Sequence, residues 1–305
     1  PSIAETGVAR SALQYVVPAP FLGLVQFQSR LVAKSGSVYF AGKLYESGLW
    51  YLMIVSFIIK TPIPVILLLG AAVFHLSKNV RRLRGEWLLA SFVCVILFVF
   101  SYLSNVNVGL RYILPIYPFV HVLISAWPAK ALGRSRAFGI VAVLLGGWYV
   151  ASTAAIHPHY LAYFNETIGG PRNGYRYLVD SNLDWGQDLE GLRDYVAESK
   201  LDRIALGYFG SGDAAYYGLN YEYLPSVGLA PKEPGQKWWY EDGADSQPIF
   251  MPKSPLLAVS ATLMGRPGWI RGECYEVYER LRRCEPVDQV GYSILLFDSE
   301  CIRPQ

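Results

Sequence analysis

The sequence predicts an α-helical polytopic membrane bundle of about four spans, followed by a small extracytoplasmic α/β domain. Three observations carry that expectation. The 305 residues are 52% hydrophobic and 17% charged, and the mean hydropathy is +0.25, above the usual composition of a water-soluble domain. The apolar residues are concentrated before residue 157 in four runs, at Leu49–Leu76, Trp87–Leu103, Tyr112–Trp127 and Ala137–Ile156. The second half mixes short periods of helical and strand type.

Each element follows from its residues. Residues 1–48 are expected to form an extracytoplasmic loop, in which Leu22, Val25, Leu31 and Val32 share one face of a helix over Pro20–Ala33. That helix suits either the membrane interface or packing on the protein. The chain opens on Pro1, with no initiator Met and no signal-peptide pattern, which reads as a start in mid-protein. Residues 49–156 are the expected bundle. Lys60-Thr61-Pro62-Ile63-Pro64 interrupts the first run, because proline removes a donor and disfavours helix before it. An interfacial helix from Trp50 to Ile59 would then precede the span proper. Trp87, Tyr102, Tyr112 and Trp127 end the two shorter runs, as rings at a headgroup layer do. Lys78, Arg81, Arg82 and Arg84 in one loop, and Lys130, Arg134 and Arg136 in the next but one, place those loops in the cytoplasm.

Residues 157–305 form the expected α/β domain, with helices over Gln187–Ser199 and Glu276–Arg283 and strands over Ile204–Phe209, Leu256–Thr262 and Ser293–Phe297. A long irregular stretch is expected from Asn220 to Gln247. Cys94 reads as a small core residue, and a Cys274–Cys284 disulfide is compatible with an oxidising compartment, leaving an odd thiol. A net charge of +3 without a basic, aromatic-rich run argues against nucleic acid.

Glycine-loop, zinc-protease and nucleophile-elbow motifs are missing from the sequence. What remains is polar chemistry at the expected outer boundary. Lys60 is an ammonium in an apolar run, suited to a phosphate or to snorkelling. Arg111, preceded by Asn105 and Asn107, would sit at headgroup depth, where its fork matches a phosphate. His157 and His159 could ligate a divalent metal from an extended segment, yet no third ligand has recognisable spacing, so no metal residue is assigned. Asn165-Glu166-Thr167 is formally a glycosylation sequon, read as a chance match. The densest cluster runs from Asp180 to Asp188. Its Asp180, Asn182, Asp184, Trp185, Gln187 and Asp188 suit sugar recognition, with an indole to stack on a ring and polar groups for hydroxyls. Helix capping by Asp184, Gly186 or Asp188 is the plainer alternative.

Several of these segments together resemble a known family. They are Tyr39-Phe40-Ala41-Gly42-Lys43, Gly48-Leu49-Trp50-Tyr51, Lys60-Thr61-Pro62, Asn107 to Pro115, His157 to Asn165, and the run DSNLDWGQDL at Asp180–Leu189. The chain resembles the C-terminal half of bacterial phospholipid-carrier-dependent glycosyltransferases of the GT-C class, related to family 39 protein mannosyltransferases and lipid A aminoarabinose transferases. The likeness extends from about Tyr39 to Val290-Gly291-Tyr292-Ser293. It implies transfer of a sugar from a polyprenyl-phosphate donor to a glycan, lipid or protein acceptor, at the outer face of the inner membrane. It also implies a catalytic aspartate in an external loop near the N-terminus, which no stretch here matches. On this reading Lys60 and Arg111 hold the donor phosphate, and Asp180–Asp188 lines the sugar or acceptor side. A lipid or glycan transporter, or an assembly subunit with an external binding domain, is the alternative.

Overall fold

The computed structural model describes residues 38–79, 84–103, 109–131, 136–224, 252–265 and 274–302. The expected helix at Pro20–Ala33 lies outside them, as do Asn105, Asn107, Arg81, Arg82 and Arg134. A β-hairpin, β1 (Val38–Phe40) and β2 (Lys43–Tyr45), opens the described chain. Helices α1 (Leu52–Lys60), α2 (Ile63–Lys78), α3 (Arg84–Phe98), α4 (Ile116–Ala131) and α5 (Arg136–Ala155) follow, and α3 runs on through a π-turn at Val99–Leu103. The second half contains α6 (Leu189–Glu198), β3 (Ile204–Gly207), β4 (Tyr221–Tyr223), β5 (Leu256–Ser260), α7 (Cys274–Leu281), β6 (Asp288–Val290) and β7 (Ile294–Asp298).

The four-span bundle does not survive. Among the described residues one helical stretch, Gly85–Leu103, is long and apolar enough to cross a membrane, and at most two are if α1 and α2 count as one broken span. Proline is the reason for the break. Thr61 is extended (φ −98°, ψ 135°) before Pro62, Pro64 starts α2 in its first turn, and the two helices diverge by 116°. The apolar portions of α4 and α5, Ile116–Ser125 and Gly139–Ala155, are too short by the same measure. Helix α4 nevertheless packs on α2 and α3, and α5 packs on α2 and α4.

The helix expected from Trp50 to Ile59 forms a seam between two cores. Leu52 and Ile59 on one side of α1 are buried in the core of the α/β domain, whereas Met53 and Phe57 on another are buried with Val65, Ile113, Ile116 and Val120 among the helices. This two-sided burial follows from the spacing: 52 to 59 and 53 to 57 trace two neighbouring stripes of a helix.

The sheet has the order β4-β3-β5-β7-β6; β3 is parallel to β4 and β5, and β7 is antiparallel to β5 and β6. Both faces are covered, and alternation decides which residue goes where. Ile204, Leu206, Ala258, Ile294 and Leu296 pack with Leu189 and Leu192 of α6. Ala205, Leu257, Val259, Leu295 and Phe297 pack with Val277, Tyr278 and Leu281 of α7 and with Leu52 of α1. Strand β4 falls in the stretch expected to be irregular, because a three-residue edge strand is too short to show a period. The disulfide joins Cys284 to Cys301, not Cys274 to Cys284, and Cys94 is exposed on α3 rather than in a core. Sequence spacing could not rank those pairings, whereas a Cα separation of 6.4 Å allows this one.

Candidate functional site

The segments that follow α5 and precede α6 meet at the C-terminal end of α1. That end leaves carbonyls without helical partners, and Asn165 takes them. Its Nδ2 donates to Ile58 O (2.6 Å) and Thr61 O (2.8 Å), and its backbone N–H donates to Ile59 O. Asn165 is fully buried, so the sequon it belongs to offers no glycosylation acceptor.

Lys60 is buried at the same end. Its Nζ donates to Leu161 O at 2.8 Å and to Asn182 O, and lies 4.3 Å from the centroid of Phe164. No carboxylate pairs with it among the described residues. Asn182 is buried too: its Oδ1 accepts from Leu110 N–H (2.9 Å) and its Nδ2 donates to Val179 O. Gly109, at φ +100°, lies against that amide so closely that a β-carbon would collide with it. Lys60 and Asn182 therefore tie the α1–α2 break, the Leu110 turn and the acidic run into one joint.

Beside this joint is a cavity of about 260 Å³ lined by Lys60, Leu110, Leu114, Tyr117, Ile156, Tyr160 and Tyr163, among others. Its walls are mainly apolar. Thr61 Oγ1 and the Tyr117 hydroxyl share a hydrogen bond of 2.7 Å at its edge. Arg111 lies one residue beyond Leu110, is exposed, and holds its guanidinium 5.2 Å from the Tyr112 ring and 5.6 Å from that of Trp185. Trp185 is 54% exposed.

The acidic run divides into an inside and an outside. Asp180 adopts φ +57°, a conformation aspartate tolerates, and its Oδ1 accepts from Ser181 N–H. Asp184 is fully buried, accepting from Gly186 N–H (2.9 Å) and Thr262 N–H (3.4 Å); burial pushes its pKa up to about 7. Asp188 caps the start of α6 by position, without a side-chain cap bond. Its carboxylate instead accepts from Ser293 Oγ (2.6 Å) and Gln187 Nε2 (3.1 Å), and faces His159 Nδ1 at 3.2 Å. Burial raises the Asp188 pKa, while Ser293 and His159 oppose the rise. Gln187 also accepts from Trp185 N–H.

Sequence reasoning missed Thr262, Ser293 and Tyr292. The last two come from the β6–β7 hairpin turn, where Gly291 (φ +58°) lies directly against the Asp188 carboxylate and the Tyr292 ring meets His159 edge-on at 5.7 Å. Consecutive left-handed residues at Gly291 and Tyr292 are the only trace this turn leaves, and a Gly-Tyr pair is a faint one. His157 is exposed and contacts Tyr160 (Nδ1 to hydroxyl, 3.0 Å), away from any carboxylate among the described residues. Asn107 lies outside the described residues. Among those residues, no group of three or more His, Cys, Asp and Glu is placed to hold a metal ion.

Comparison with protein-family models, with curated proteins and with solved structures gave no match to this chain.

Proposed function

We propose that this chain is the C-terminal part of a membrane glycosyltransferase that takes a sugar from a polyprenyl-phosphate carrier at the outer face of the inner membrane. The single observation that carries the reading is the cavity beside Lys60: apolar walls, phenol hydroxyls, and a buried lysine whose partners among the described residues are carbonyl oxygens and an aromatic ring. A buried cation with no anionic partner is costly, and a phosphate would neutralise it, while the apolar wall suits the first isoprenoid units. Arg111 would add a forked donor on the exposed side, and Trp185 a ring for the sugar face.

Two further features support the setting. Large apolar side chains point outward along the helices, including Phe74 (66% exposed), Leu88 (72%), Leu103 (70%) and Val143 (70%), a surface suited to acyl chains. The Cys284–Cys301 disulfide suits an oxidising compartment outside the cytoplasm. The geometry narrows the roles. Lys60 serves both the joint and the cavity, Asn182 serves the joint, Asp184 and Asp188 are held by internal partners, and Arg111 and Trp185 are exposed beside them.

The test is binding of a short polyprenyl phosphate to the purified protein in detergent, against the corresponding polyprenol. Phosphate-dependent binding is expected. Filling the cavity by Leu114→Trp, a half-exposed position outside the joint, is expected to weaken it by about tenfold or more, a loss of at least about 1.4 kcal/mol. Equal affinity for phosphate and alcohol, or an unaffected Leu114→Trp variant, would remove the reading.

A further inference from the structure

A second cavity, of about 380 Å³, lies on the α/β domain, and its lining shares no residue with the Lys60 cavity. Tyr39 of the β1–β2 hairpin, Tyr175 and Tyr177 of the helical turn Gly174–Tyr177, and Arg282 and Glu285 just beyond α7 line it, with Arg176 at its edge. Tyr39 and Glu285 lie 246 residues apart in the sequence. Four structural ties bring them together and keep them in place. Ala41 N–H donates to Tyr177 O, the Tyr39 ring packs against Gly265 where a β-carbon would be crowded, Arg176 pairs with Glu285, and the Cys284–Cys301 disulfide anchors the stretch between Arg282 and Glu285.

Arg282 is the informative group. Its Nε donates to Met264 O at 2.7 Å and its Nη1 donates to Glu279 at 2.5 Å, which hold the guanidinium plane. Its Nη2 is enclosed and has no hydrogen-bond partner among the described residues. A buried guanidinium nitrogen without an acceptor is costly, and an incoming oxygen anion would supply that acceptor. The Tyr39 hydroxyl makes a 3.5 Å contact to Arg176 O and accepts from the Gly42 backbone N–H. Burial pushes its pKa up to about 12, so it is a donor at neutral pH. Arg282 and Tyr39 thus line one cavity, together with phenol rings for the carbon face of a pyranose and the Arg176–Glu285 pair for its hydroxyls.

We propose that this cavity binds a sugar bearing an anionic oxygen group, a carboxylate or a phosphate, with the anion at Arg282 and Tyr39 and the ring against Tyr175 and Tyr177. The cavity shares no lining residue with the carrier-phosphate site, so its binding of an anionic sugar stands by itself, whereas a role as acceptor subsite rests on the glycosyltransferase reading.

Calorimetric titration of the purified full chain in detergent with glucuronate, glucose 6-phosphate and glucose tests it, with polyprenyl-phosphate binding measured on the same samples. Saturable binding of at least one anionic sugar is expected, about tenfold or more tighter than glucose, and the better of the two identifies the anion. Tyr39→Phe removes one hydroxyl and keeps the ring; it is expected to weaken that binding by about threefold or more with the melting temperature unchanged. Arg282→Lys is expected to cost about tenfold or more, because lysine cannot reproduce the fork. Glucose binding as well as both anionic sugars, no saturable binding by any of them, or wild-type affinity in folded Tyr39→Phe would overturn the site. Polyprenyl-phosphate binding is expected to be untouched by either variant, so failure of one reading leaves the other standing.

Discussion

The sheet half and the helical half of this chain use apolar residues in opposite ways. In the sheet half, successive residues of β3, β5 and β7 face two covered layers, and Leu206, Leu257, Val259, Leu295 and Leu296 are all fully buried. In the helical half, equally apolar residues face out, and Leu67, Val95 and Phe98 are more than half exposed. The difference teaches that composition alone does not locate a core. What separates the halves is whether a second layer covers the apolar face, and α1 is where the two regimes join, since it contributes Leu52 to one core and Met53 to the other.

The largest effect that could break this comparison is a leucine truncation on each side. Leu52→Ala removes a side chain that is 1% exposed at the seam, and is expected to cost about 2–5 kcal/mol. Leu67→Ala, at 51% exposure on α2, is expected to change stability in detergent by less than about 0.5 kcal/mol. Denaturant titration of both variants in the same detergent is the measurement. A loss at Leu67 comparable to that at Leu52 would mean that the outward face of α2 is covered.

How much of this was legible depended on the range of the interaction. The strands at Ile204 and Ile294 and the helix before Ser199 could be read because a period of 2 or 3.6 is written in adjacent residues. The break at Pro62 could be read because proline acts on its own neighbours. The four-span expectation failed because hydropathy sums composition over a window, whereas crossing needs a helix long enough, and the apolar portions of α4 and α5, Ile116–Ser125 and Gly139–Ala155, fall short. Within the acidic run, residue types pointed to sugar chemistry, yet the partners that bury Asp184 and Asp188 come from Thr262 and Ser293, 78 and 105 residues away. The cavity at Tyr39 and Arg282 was invisible for the same reason.

An intermediate effect sharpens the inside of that run. Asp184 has a pKa of about 7 in the folded protein, raised chiefly by burial from an ordinary aspartate value near 3.9. For an acid whose folded value is raised, the native state binds the extra proton between those two values, so stability falls as pH rises from about 4 to about 7. Below that window the contribution is intact, and above it the buried carboxylate is charged at full cost. Asp188, also raised, acts in the same direction. Melting temperatures from pH 4 to pH 8 are expected to decline across the window in wild type, and to decline less in Asp184→Asn, which cannot ionise. A slope that is identical in the two proteins would assign the pH dependence elsewhere and return Asp184 to an ordinary ionised carboxylate.

The smallest effect on stability belongs to the outside of the run, where Arg111 stands between the Tyr112 and Trp185 rings. An exposed cation over an aromatic ring contributes only about 0.5–1 kcal/mol, and lysine retains part of it, so Arg111→Lys is expected to leave the melting temperature nearly unchanged. Its effect on a ligand is expected to be larger than its effect on the fold. A guanidinium can meet two phosphate oxygens at once from a fixed plane, whereas an ammonium meets them as a point charge. If the carrier phosphate reaches Arg111, the substitution removes about one charge-assisted hydrogen bond, about 1.5–3 kcal/mol, and polyprenyl-phosphate affinity falls by about tenfold to a hundredfold. The paired measurement, thermal unfolding and polyprenyl-phosphate binding on one preparation, separates a ligand contact from a surface anchor. An unchanged affinity together with an unchanged melting temperature would confine the phosphate to the Lys60 side of the cavity and leave Arg111 as a cation resting on two rings.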